Sequence, residues 1–359
     1  MYDVNKIRAD FPILSRNVNN KPLVYLDNGS SAQKPKAVID AVSKAYSEEY
    51  SNVHRGLHTL SNLATDNYES VRGKIQNFLG AEHPEEIIFN SGATEGINTV
   101  SYSWAVPNLK AGDEIILSIM EHHANIIPWH FLRERQGVII KWVETDENGD
   151  LDAQAVIDAI NPKTKLIAIT QMSNVLGTVV DVKEICRVAQ EKNIVTLIDG
   201  SQSSVHLPIN VKDIGCDFFV ITGHKLYGPS SSGALYARKK RHEEMINFMG
   251  GGDMIKIVER DHVTYNISPH RFEAGTPGIV QMIGLGAAID YMQEIGTDHI
   301  AKHETSLRDY ANTKLSKLDF LNIQGNSVNK GAIFSFTLNG AGHPHDISTI
   351  IDQRGIAVR

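Results

Sequence analysis

Short apolar runs rich in β-branched residues alternate with helical patterns through most of this chain, and this alternation constrains the fold. One helical pattern consists of Val182, Ile185, Cys186 and Ala189, whose spacing places them on one face of a helix. Strands that alternate with helices favour a mostly parallel sheet covered by helices on both sides. The sequence therefore predicts an α/β fold. The predicted strands are residues 87–89, 114–117, 138–140, 166–169, 195–198 and 218–222.

Length and charge narrow the classes of function. A chain of 359 residues can form one large domain and a smaller one. Lys and Arg number 35 against 42 Asp and Glu, and no basic block occurs, which argues against nucleic acid as the main partner. No apolar run approaches the length of a membrane span, and residues 1–8 lack the apolar stretch of a secretion signal. Two cysteines do not suggest a disulfide framework. We expect a cytoplasmic protein without a membrane partner.

Lys225 follows the predicted strand 218–222 and lies on a turn that Gly228 and Pro229 close. In an α/β protein the carboxyl ends of the strands are where ligands bind. A lysine amine that is desolvated there can lose its proton and attack a carbonyl carbon to form a Schiff base. Most lysines are solvated surface charges, so the position of Lys225 alone does not establish a function.

Asp199 is a second polar residue at a predicted strand end, and it narrows the chemistry expected of Lys225. It ends the apolar run 194–198, and an unpaired buried carboxylate is costly, so Asp199 needs a cationic partner. A protonated pyridine nitrogen would supply one. A Schiff-base lysine together with an aspartate on the pyridinium nitrogen is typical of pyridoxal phosphate sites.

Three polar segments each allow a structural and a functional interpretation. Residues 53–60 are irregular and polar, as in a surface loop, but they carry groups that bind anions or carboxylates. The turn 90–96 precedes a helical pattern and can present backbone N–H groups to an anion, or Thr94 can simply cap that helix. Asn174 is an ordinary turn residue or a hydrogen-bond partner of a ligand. The residues alone leave these alternatives open.

His122 and His123 suggest a metal site at first sight. Adjacent residues point to different faces, however, and a zinc site needs further ligands. We therefore expect no metal at this pair.

Several segments together resemble the SUF-type (group II) cysteine desulfurases of the class V aminotransferase group, which have pyridoxal phosphate fold type I. The resemblance covers nearly all of the chain. Two departures occur: Ala93 stands where the family usually has threonine, and residues 230–232 lack a glycine of the family pattern, so that this loop must close with less backbone freedom. The matching segments are residues 9–12, 25–27, 33–35, 53–60, 90–96, 121–129, 223–229, 250–252 and 271–277.

The resemblance implies a large domain with a seven-stranded, mostly parallel sheet and a smaller α+β domain. We expect an N-terminal arm at residues 1–20, the large cofactor-binding domain at 21–295 and the small domain at 296–359. Family members continue for several tens of residues past the position of Arg359, through the loop with the nucleophilic cysteine. The small domain is therefore expected to be incomplete here.

The resemblance also implies residue roles. Lys225 holds pyridoxal 5′-phosphate and removes the substrate Cα proton, Asp199 keeps the ring nitrogen protonated, and His122 stacks on the ring and moves protons. His54 and Arg359, together with Asn174, bind the substrate. The other residues expected to contact the cofactor are Ala93, Thr94, Asn174, Gln202, Thr222, His224 and Thr276.

In the family, the threonine at the position of Thr276 and the segment 53–60 serve the neighbouring subunit, which implies a homodimer. The expected function is conversion of L-cysteine to L-alanine with transfer of sulfur to an enzyme cysteine, for delivery to an acceptor protein in iron–sulfur cluster assembly. The alternatives are a selenocysteine lyase and a catalytically silent scaffold that binds the cofactor. A kynureninase or aminotransferase fits the segments 53–60 and 121–129 less well.

Overall fold

The computed structural model describes residues 2–340 and 342–359 of the chain. The helices are α1 (Val4–Ala9), α2 (Lys36–Glu48), α3 (Thr59–Leu79), α4 (Ala93–Thr99), α5 (Val106–Asn108), α6 (Ile127–Gln136), α7 (Ala153–Asp158), α8 (Val182–Glu191), α9 (Ser203–His206), α10 (Val211–Ile214), α11 (Ile279–Ile295), α12 (Thr297–Leu315) and α13 (Pro344–Asp352). The strands are β1 (Asn17–Val18), β2 (Lys21–Pro22), β3 (Val24–Tyr25), β4 (Ile87–Asn90), β5 (Glu114–Ser118), β6 (Ile139–Val143), β7 (Thr164–Thr170), β8 (Val195–Asp199), β9 (Phe218–Thr222), β10 (Gly233–Ala237), β11 (Ile255–Val258), β12 (Val263–Tyr265), β13 (Leu321–Gln324), β14 (Ser335–Leu338) and β15 (Ile356–Ala357).

A seven-stranded sheet forms the centre of the molecule, in the order β4-β10-β9-β8-β7-β5-β6. Strand β10 pairs antiparallel with both of its neighbours, and the other pairings in this sheet are parallel. The predicted α/β fold with a mostly parallel sheet is confirmed. Because the parallel strands end at one edge, the turns that follow β7, β8 and β9 lie side by side.

Helices cover both faces of this sheet. Successive residues of a strand point to opposite faces, so Ile87 and Phe89 of β4 belong to one buried cluster, with residues of α3, α8 and α11, whereas Ile88 belongs to a second cluster with residues of α4 and α6. Each face therefore has its own buried apolar cluster, and the strands between them are buried on both sides.

The sequence analysis did not predict β10. Its residues include Gly233, Ala234 and Ala237, which have low β-propensity and give no strand signal. The position nevertheless suits a small residue: a Cβ atom on Gly233 would lie 2.6 Å from the Cα atom of Gly92. Tertiary packing, rather than local propensity, makes this segment a strand.

The ends of the chain meet beside the large sheet. Strand β3 pairs in parallel with β15, although the sequence analysis placed the two segments in different domains. Strands β13 and β14 form an antiparallel pair next to α12. In the described part of the chain, no helix combines the length and apolar character needed to cross a membrane. The division at residue 295 stays a prediction.

Candidate active site

A polar residue is the last residue in each of three neighbouring strands, at one edge of the central sheet. Thr170 of β7 lies opposite Asp199 of β8, and Asp199 lies opposite Val220 of β9, two residues before Thr222. The turn after β9 then carries His224 and Lys225. The fold thus gathers the predicted cofactor residues where ligands of α/β proteins bind.

Lys225 lies half-buried in this turn and lines a cavity of about 390 Å³. Burial lowers the pKa of its amine, although the charge of Asp199 acts in the opposite direction. Within the described residues no carboxylate lies within 4.0 Å of the amine, so no ion pair holds it protonated. A desolvated amine without an ion-pair partner suits a nucleophile.

Asp199 is 4% exposed and accepts two hydrogen bonds on Oδ1, from the backbone N–H of Ser201 at 2.9 Å and from its hydroxyl at 2.6 Å. Donors of this kind favour the ionised carboxylate. Among the described residues no lysine, arginine or histidine lies within 4.0 Å of it. The second oxygen, Oδ2, thus lacks a cationic partner from this part of the chain.

His122 follows β5 and approaches the same site. The backbone N–H of Ala124 donates to its Nδ1 atom at 3.1 Å, which assigns the proton of the neutral ring to Nε2. Although part of the residue faces solvent, desolvation of the ring and the charge of Lys225 lower the pKa of His122. The charge of Asp199 opposes this shift, so the three groups share one electrostatic environment.

Glu121 is a residue of this site that the sequence analysis did not select. It is 6% exposed, and its carboxyl oxygens accept from the Ser118 hydroxyl at 2.5 Å and from the Asn125 amide at 2.7 Å. Burial raises its pKa to about 8, and the charge of Asp199 adds to the rise. The sequence signal was weak, because only its position just before His122 distinguished Glu121 from other acidic residues.

The turn between β4 and α4 meets the end of β9. The N-cap of α4 is Gly92, with φ of 137°, and Thr94 lies within the helix and is exposed, so Thr94 is not the capping residue. A Cβ atom on Gly92 would lie 3.1 Å from Oγ1 of Thr222. Glycine at this position therefore leaves room between the first helical N–H groups and the Thr222 hydroxyl, as an anionic group at a helix start requires.

These residues fit pyridoxal phosphate. The cofactor requires an amine to bind covalently, an acid for the ring nitrogen and donors for the phosphate. Lys225 and Asp199 offer the first two, and the Gly92 turn with Thr222 offers space and donors for the third. The buried Asp199 oxygen without a cationic partner is the observation that most favours a cationic ring nitrogen here.

Loop 230–232, where the sequence departs from the family pattern, closes next to Lys225. Ser231 adopts a φ of 56°, and the Ser232 hydroxyl donates to the Pro229 carbonyl at 2.8 Å. The carbonyl of Ser232 accepts from Gly223 N–H at 2.7 Å. The loop therefore closes through side-chain and backbone hydrogen bonds of serine.

Other predicted residues surround the Lys225 cavity. Gln202 lines it, and its amide donates to the Gly29 carbonyl at 2.7 Å. Asn174 lies in the turn after β7 at the same sheet edge. Arg359 is exposed, and its Nε atom lies 3.1 Å from a carboxylate oxygen of Asp27, which adjoins the cavity wall.

His54 and Thr276 belong to a different place on the chain. His54 lines a second cavity, of about 520 Å³, together with the two neighbours of Thr276 in sequence. His54 has a φ of 72° and forms an ion pair with Glu69 at 2.9 Å. The structure of one chain does not bring either residue into the Lys225 cavity.

Glu69 lies next to two histidines that line this second cavity, His54 and His270. Three potential ligand atoms lie within 4.8 Å of one another, one each from His54, Glu69 and His270. This spacing is close enough for a metal ion. Burial acts to raise the pKa of Glu69, but hydrogen bonds from His54 and Arg72 outweigh it and lower the pKa to about 2. These ion pairs account for the cluster without a metal.

Both cysteines are buried away from the cavities. Cys186 lies on α8 and Cys216 lies before β9, and both are 0% exposed. Burial raises the pKa of Cys186 to about 12 and also raises the pKa of Cys216 well above its ordinary value. Neither thiol has the accessible, ionised sulfur of a nucleophile.

Comparison with known proteins shows which family this chain matches. The Aminotransferase class-V family model matches residues 24–359. A probable cysteine desulfurase from Xylella fastidiosa is 47% identical over 357 residues, which cover 99% of this chain and 85% of that protein. The apo structure of a cysteine desulfurase from Thermococcus onnurineus NA1 superposes with a TM-score of 0.94 at 33% identity, covering 100% of this chain and 88% of the other. The Escherichia coli cysteine desulfurase CsdA, in an S-sulfonic acid form, gives a TM-score of 0.91 at 32% identity, with coverage of 100% and 88%.

Proposed function

The chain belongs to the Aminotransferase class-V family, and we propose that it is a SUF-type (group II) cysteine desulfurase. It is an enzyme that depends on pyridoxal 5′-phosphate. The proposed reaction converts L-cysteine to L-alanine and transfers the sulfur atom to a cysteine thiol as a persulfide, for use in iron–sulfur cluster assembly. The observation that carries the proposal is the convergence of Lys225, Asp199 and His122 at one sheet edge, with shared electrostatics.

Lys225 has two tasks in this proposal. When bound, the cofactor supplies an electron-accepting ring on which the Cα–H bond of an amino acid becomes acidic. The Lys225 amine holds the cofactor and, once the substrate has displaced it, takes the Cα proton on Nζ. Its lowered pKa favours the neutral amine, which a base requires.

Asp199 and His122 support this proton transfer from opposite sides. Asp199 is positioned by its hydrogen bonds from Ser201 on Oδ1 and would hold the proton of the ring nitrogen with its other oxygen. His122 is kept neutral and carries its proton on Nε2, since Nδ1 accepts from Ala124. A neutral imidazole with a free Nε2–H can donate a proton at the substrate.

Arg359 and Asn174 are the proposed contacts of the substrate carboxylate. Arg359 is paired with Asp27, which raises the pKa of the guanidinium and keeps it charged. A substrate carboxylate at this position therefore competes with Asp27 for the same donors. Its exposure makes the Arg359–Asp27 pair a weak competitor.

A homodimer completes the proposal. His54 and Thr276 lie away from Lys225 within one chain, as expected of residues that contribute to the site of a neighbouring subunit. The sulfur then passes to an acceptor protein. The buried thiols of Cys186 and Cys216 are not the sulfur carriers in this proposal. A cytoplasmic location and the absence of nucleic-acid partners stay predictions.

Product analysis tests the function. The protein loaded with pyridoxal phosphate is supplied with L-cysteine and a thiol acceptor, and L-alanine and sulfide are measured, with the Lys225→Ala variant as control. Because neither Cys186 nor Cys216 is the sulfur carrier in this proposal, the added thiol has to take the sulfur atom. We expect alanine and sulfide in equal amounts from the unsubstituted chain under these conditions, and neither product from the variant. Cofactor bound at Lys225 without alanine formation would instead support the silent scaffold. Faster turnover of L-selenocysteine than of L-cysteine would support selenocysteine lyase.

A further inference from the structure

A short segment before α2 forms one wall of the Lys225 cavity and is tied to the loops that carry the site. Asn28, Ala32 and Gln33 line the cavity with Lys225, and we call residues 28–34 the wall segment. Gln202, in the loop after β8, donates to the Gly29 carbonyl at 2.7 Å. The wall segment therefore couples the first residues of the chain to two of the strand ends at the site.

The strongest tie of the wall segment is to the carbonyl oxygen of His224, the residue just before Lys225. This single oxygen accepts from Ala32 N–H at 3.0 Å, from Lys34 Nζ at 3.1 Å and from the Ser31 hydroxyl at 3.4 Å. The Lys34 ammonium also donates to the Ala32 carbonyl at 2.5 Å. Hydrogen bonds from a charged donor are about twice as strong as neutral ones, so Lys34 is the main fixed point of this contact.

Lys34 is a partly buried cation whose amine donates to carbonyl oxygens. It is half-buried, and in the part of the chain that the structure describes no carboxylate lies within 4.0 Å of its amine. Burial lowers its pKa to about 8, and its charge, after that of Lys225, contributes to lowering the pKa of His224. A buried cation bound only to carbonyl oxygens costs desolvation energy, which a purely structural contact could avoid with a neutral donor.

We propose that Lys34 is a positioning residue of the cofactor site: its ammonium fixes the peptide that precedes Lys225 and so holds the Lys225 amine in place. The inference rests on Lys225 as the cofactor lysine of the proposed function, but it does not depend on the substrate. Lys34 acts through the backbone and does not touch the reacting atoms. Loss of its charge should loosen the loop and change the charge around Lys225, which Asp199, His122 and His224 also face.

The variant Lys34→Met tests the proposal, with Lys34→Arg as the conservative replacement. Lys330→Met is the matched control, because Lys330 is also partly buried, has a pKa lowered by burial and donates to a carbonyl, that of Gly325, at 2.7 Å, away from the cavity. The measurements are the melting temperature, the dissociation constant of pyridoxal phosphate from the apo protein, and the pH midpoint of the visible band of the bound cofactor.

We expect Lys34→Met to bind pyridoxal phosphate about tenfold more weakly, which corresponds to about 1.4 kcal/mol. The pH midpoint should rise, since a positive charge has left the site, and Lys34→Arg should restore both values. Lys330→Met should lower the melting temperature and leave affinity and midpoint unchanged. If Lys34→Met does not fold, Lys34→Gln serves in its place.

Normal affinity and midpoint in a folded Lys34 variant would overturn the proposal, as would equal effects of Lys34→Met and Lys330→Met. Borohydride reduction of the unsubstituted protein shows which lysine holds the cofactor. It therefore tests the proposed function separately from the role of Lys34. Label on Lys225 with normal Lys34 variants rejects only the positioning role. Label on another lysine rejects the assignment on which both depend.

Discussion

At the scale of single residues, the candidate site contains two buried carboxyl groups that interact, those of Asp199 and Glu121. Asp199 accepts two hydrogen bonds from Ser201, whereas burial and the neighbouring Asp199 charge raise the pKa of Glu121 to about 8. Two like charges in a desolvated site cannot both be favourable, so protonation of one carboxyl stabilises the ionised form of the other. In the proposed function, a protonated Glu121 would thereby leave the Asp199 charge for the ring nitrogen.

Substitution of Asp199 tests its role directly. Asp199→Asn keeps the shape of the side chain but removes the charge. Removal of one partner from a buried ion pair typically costs roughly 3–5 kcal/mol, so we expect at least a roughly hundredfold loss in cofactor-dependent exchange of the substrate Cα proton. The measurement is exchange of that proton with deuterium by NMR. Ser201→Ala is the control and should lose less, since the carboxylate remains. Wild-type exchange in Asp199→Asn would exclude the proposed role.

The raised pKa of Glu121 predicts a pH dependence of stability. Its folded pKa of about 8 lies above the ordinary value of 4.5, so the folded chain binds an extra proton between these values. The stability that Glu121 contributes is therefore present at acidic pH and is lost as the pH rises through about 8. Urea unfolding of the apo protein between about pH 5 and about pH 9 measures it. We expect the stability advantage of the unsubstituted chain over Glu121→Gln to fall across this range, and a constant difference would contradict the protonated state.

At the scale of secondary-structure elements, the contact between β10 and the β4–α4 turn shapes the proposed phosphate site. Gly233 of β10 and Gly92 of the turn approach so closely that a Cβ atom on Gly233 would lie 2.6 Å from Gly92 Cα. The position of this turn also determines how much space lies beside the Thr222 hydroxyl. The position of the anion-binding turn is thus determined by a strand from a distant part of the sequence.

Gly233→Ala should displace this turn. Overpacking of this kind typically costs about 1–3 kcal/mol of folding stability, and here we also expect weaker binding of pyridoxal phosphate. Gly73→Ala is the control: Gly73 lies inside α3, and nothing lies within 4 Å of an added Cβ atom. That substitution should raise stability by about 0.5–1 kcal/mol and leave cofactor affinity unchanged. Both properties are measured by urea unfolding and cofactor titration. Unchanged affinity in Gly233→Ala would separate β10 from the phosphate site.

The same contact shows what the sequence could and could not reveal. Apolar, β-branched strands such as β8 and β9 were predictable because they are buried on both faces, and their order placed Asp199 and Lys225 at strand ends. Strand β10 was not predictable from its own residues. What favours a strand there is the close approach of Gly233 to Gly92, which only the folded chain shows. Glu121 was missed for a similar reason, since its neighbours Ser118 and Asn125 explain it only once the loop is folded.

At the scale of the whole molecule, the two cavities divide the proposed site residues. One contains Lys225 and the other contains His54. If an isologous dimer brings the second cavity of one chain to the first cavity of its partner, each active site contains residues from both chains. Neither cavity then works alone.

Hybrid dimers test this arrangement. Chains with Lys225→Ala and chains with His54→Ala are each expected to be inactive as homodimers. In a hybrid, one site carries both substitutions and the other carries none. Random pairing on co-expression should therefore restore about a quarter of the unsubstituted activity. Alanine formation is the measurement, and sedimentation gives the oligomeric state. An inactive mixture, or a monomer at micromolar concentration, would contradict shared sites.

The two thiols give the last prediction. Cys186 and Cys216 lie within the apolar cluster that contains α8, and burial is the largest cause of their raised pKa values, with a smaller contribution from the charge of Asp217. We expect neither to react with an aromatic disulfide reagent in the folded protein and both to react after unfolding in urea. Cys186→Ser and Cys216→Ser should retain cofactor binding and Cα-proton exchange, at some cost in stability because each buries a hydroxyl.

The Lys225→Ala variant controls for cofactor binding in this experiment, since it keeps both thiols and loses the amine. Rapid labelling of one thiol in the folded chain, with loss of alanine formation only in the matching serine variant, would make that cysteine the sulfur carrier. A sulfur atom bound there would have to enter a buried apolar cluster, where burial outweighs the charge of Arg238 and keeps the pKa of both thiols raised. The burial of both side chains opposes that path, because a thiolate is the form that attacks sulfur and burial disfavours it.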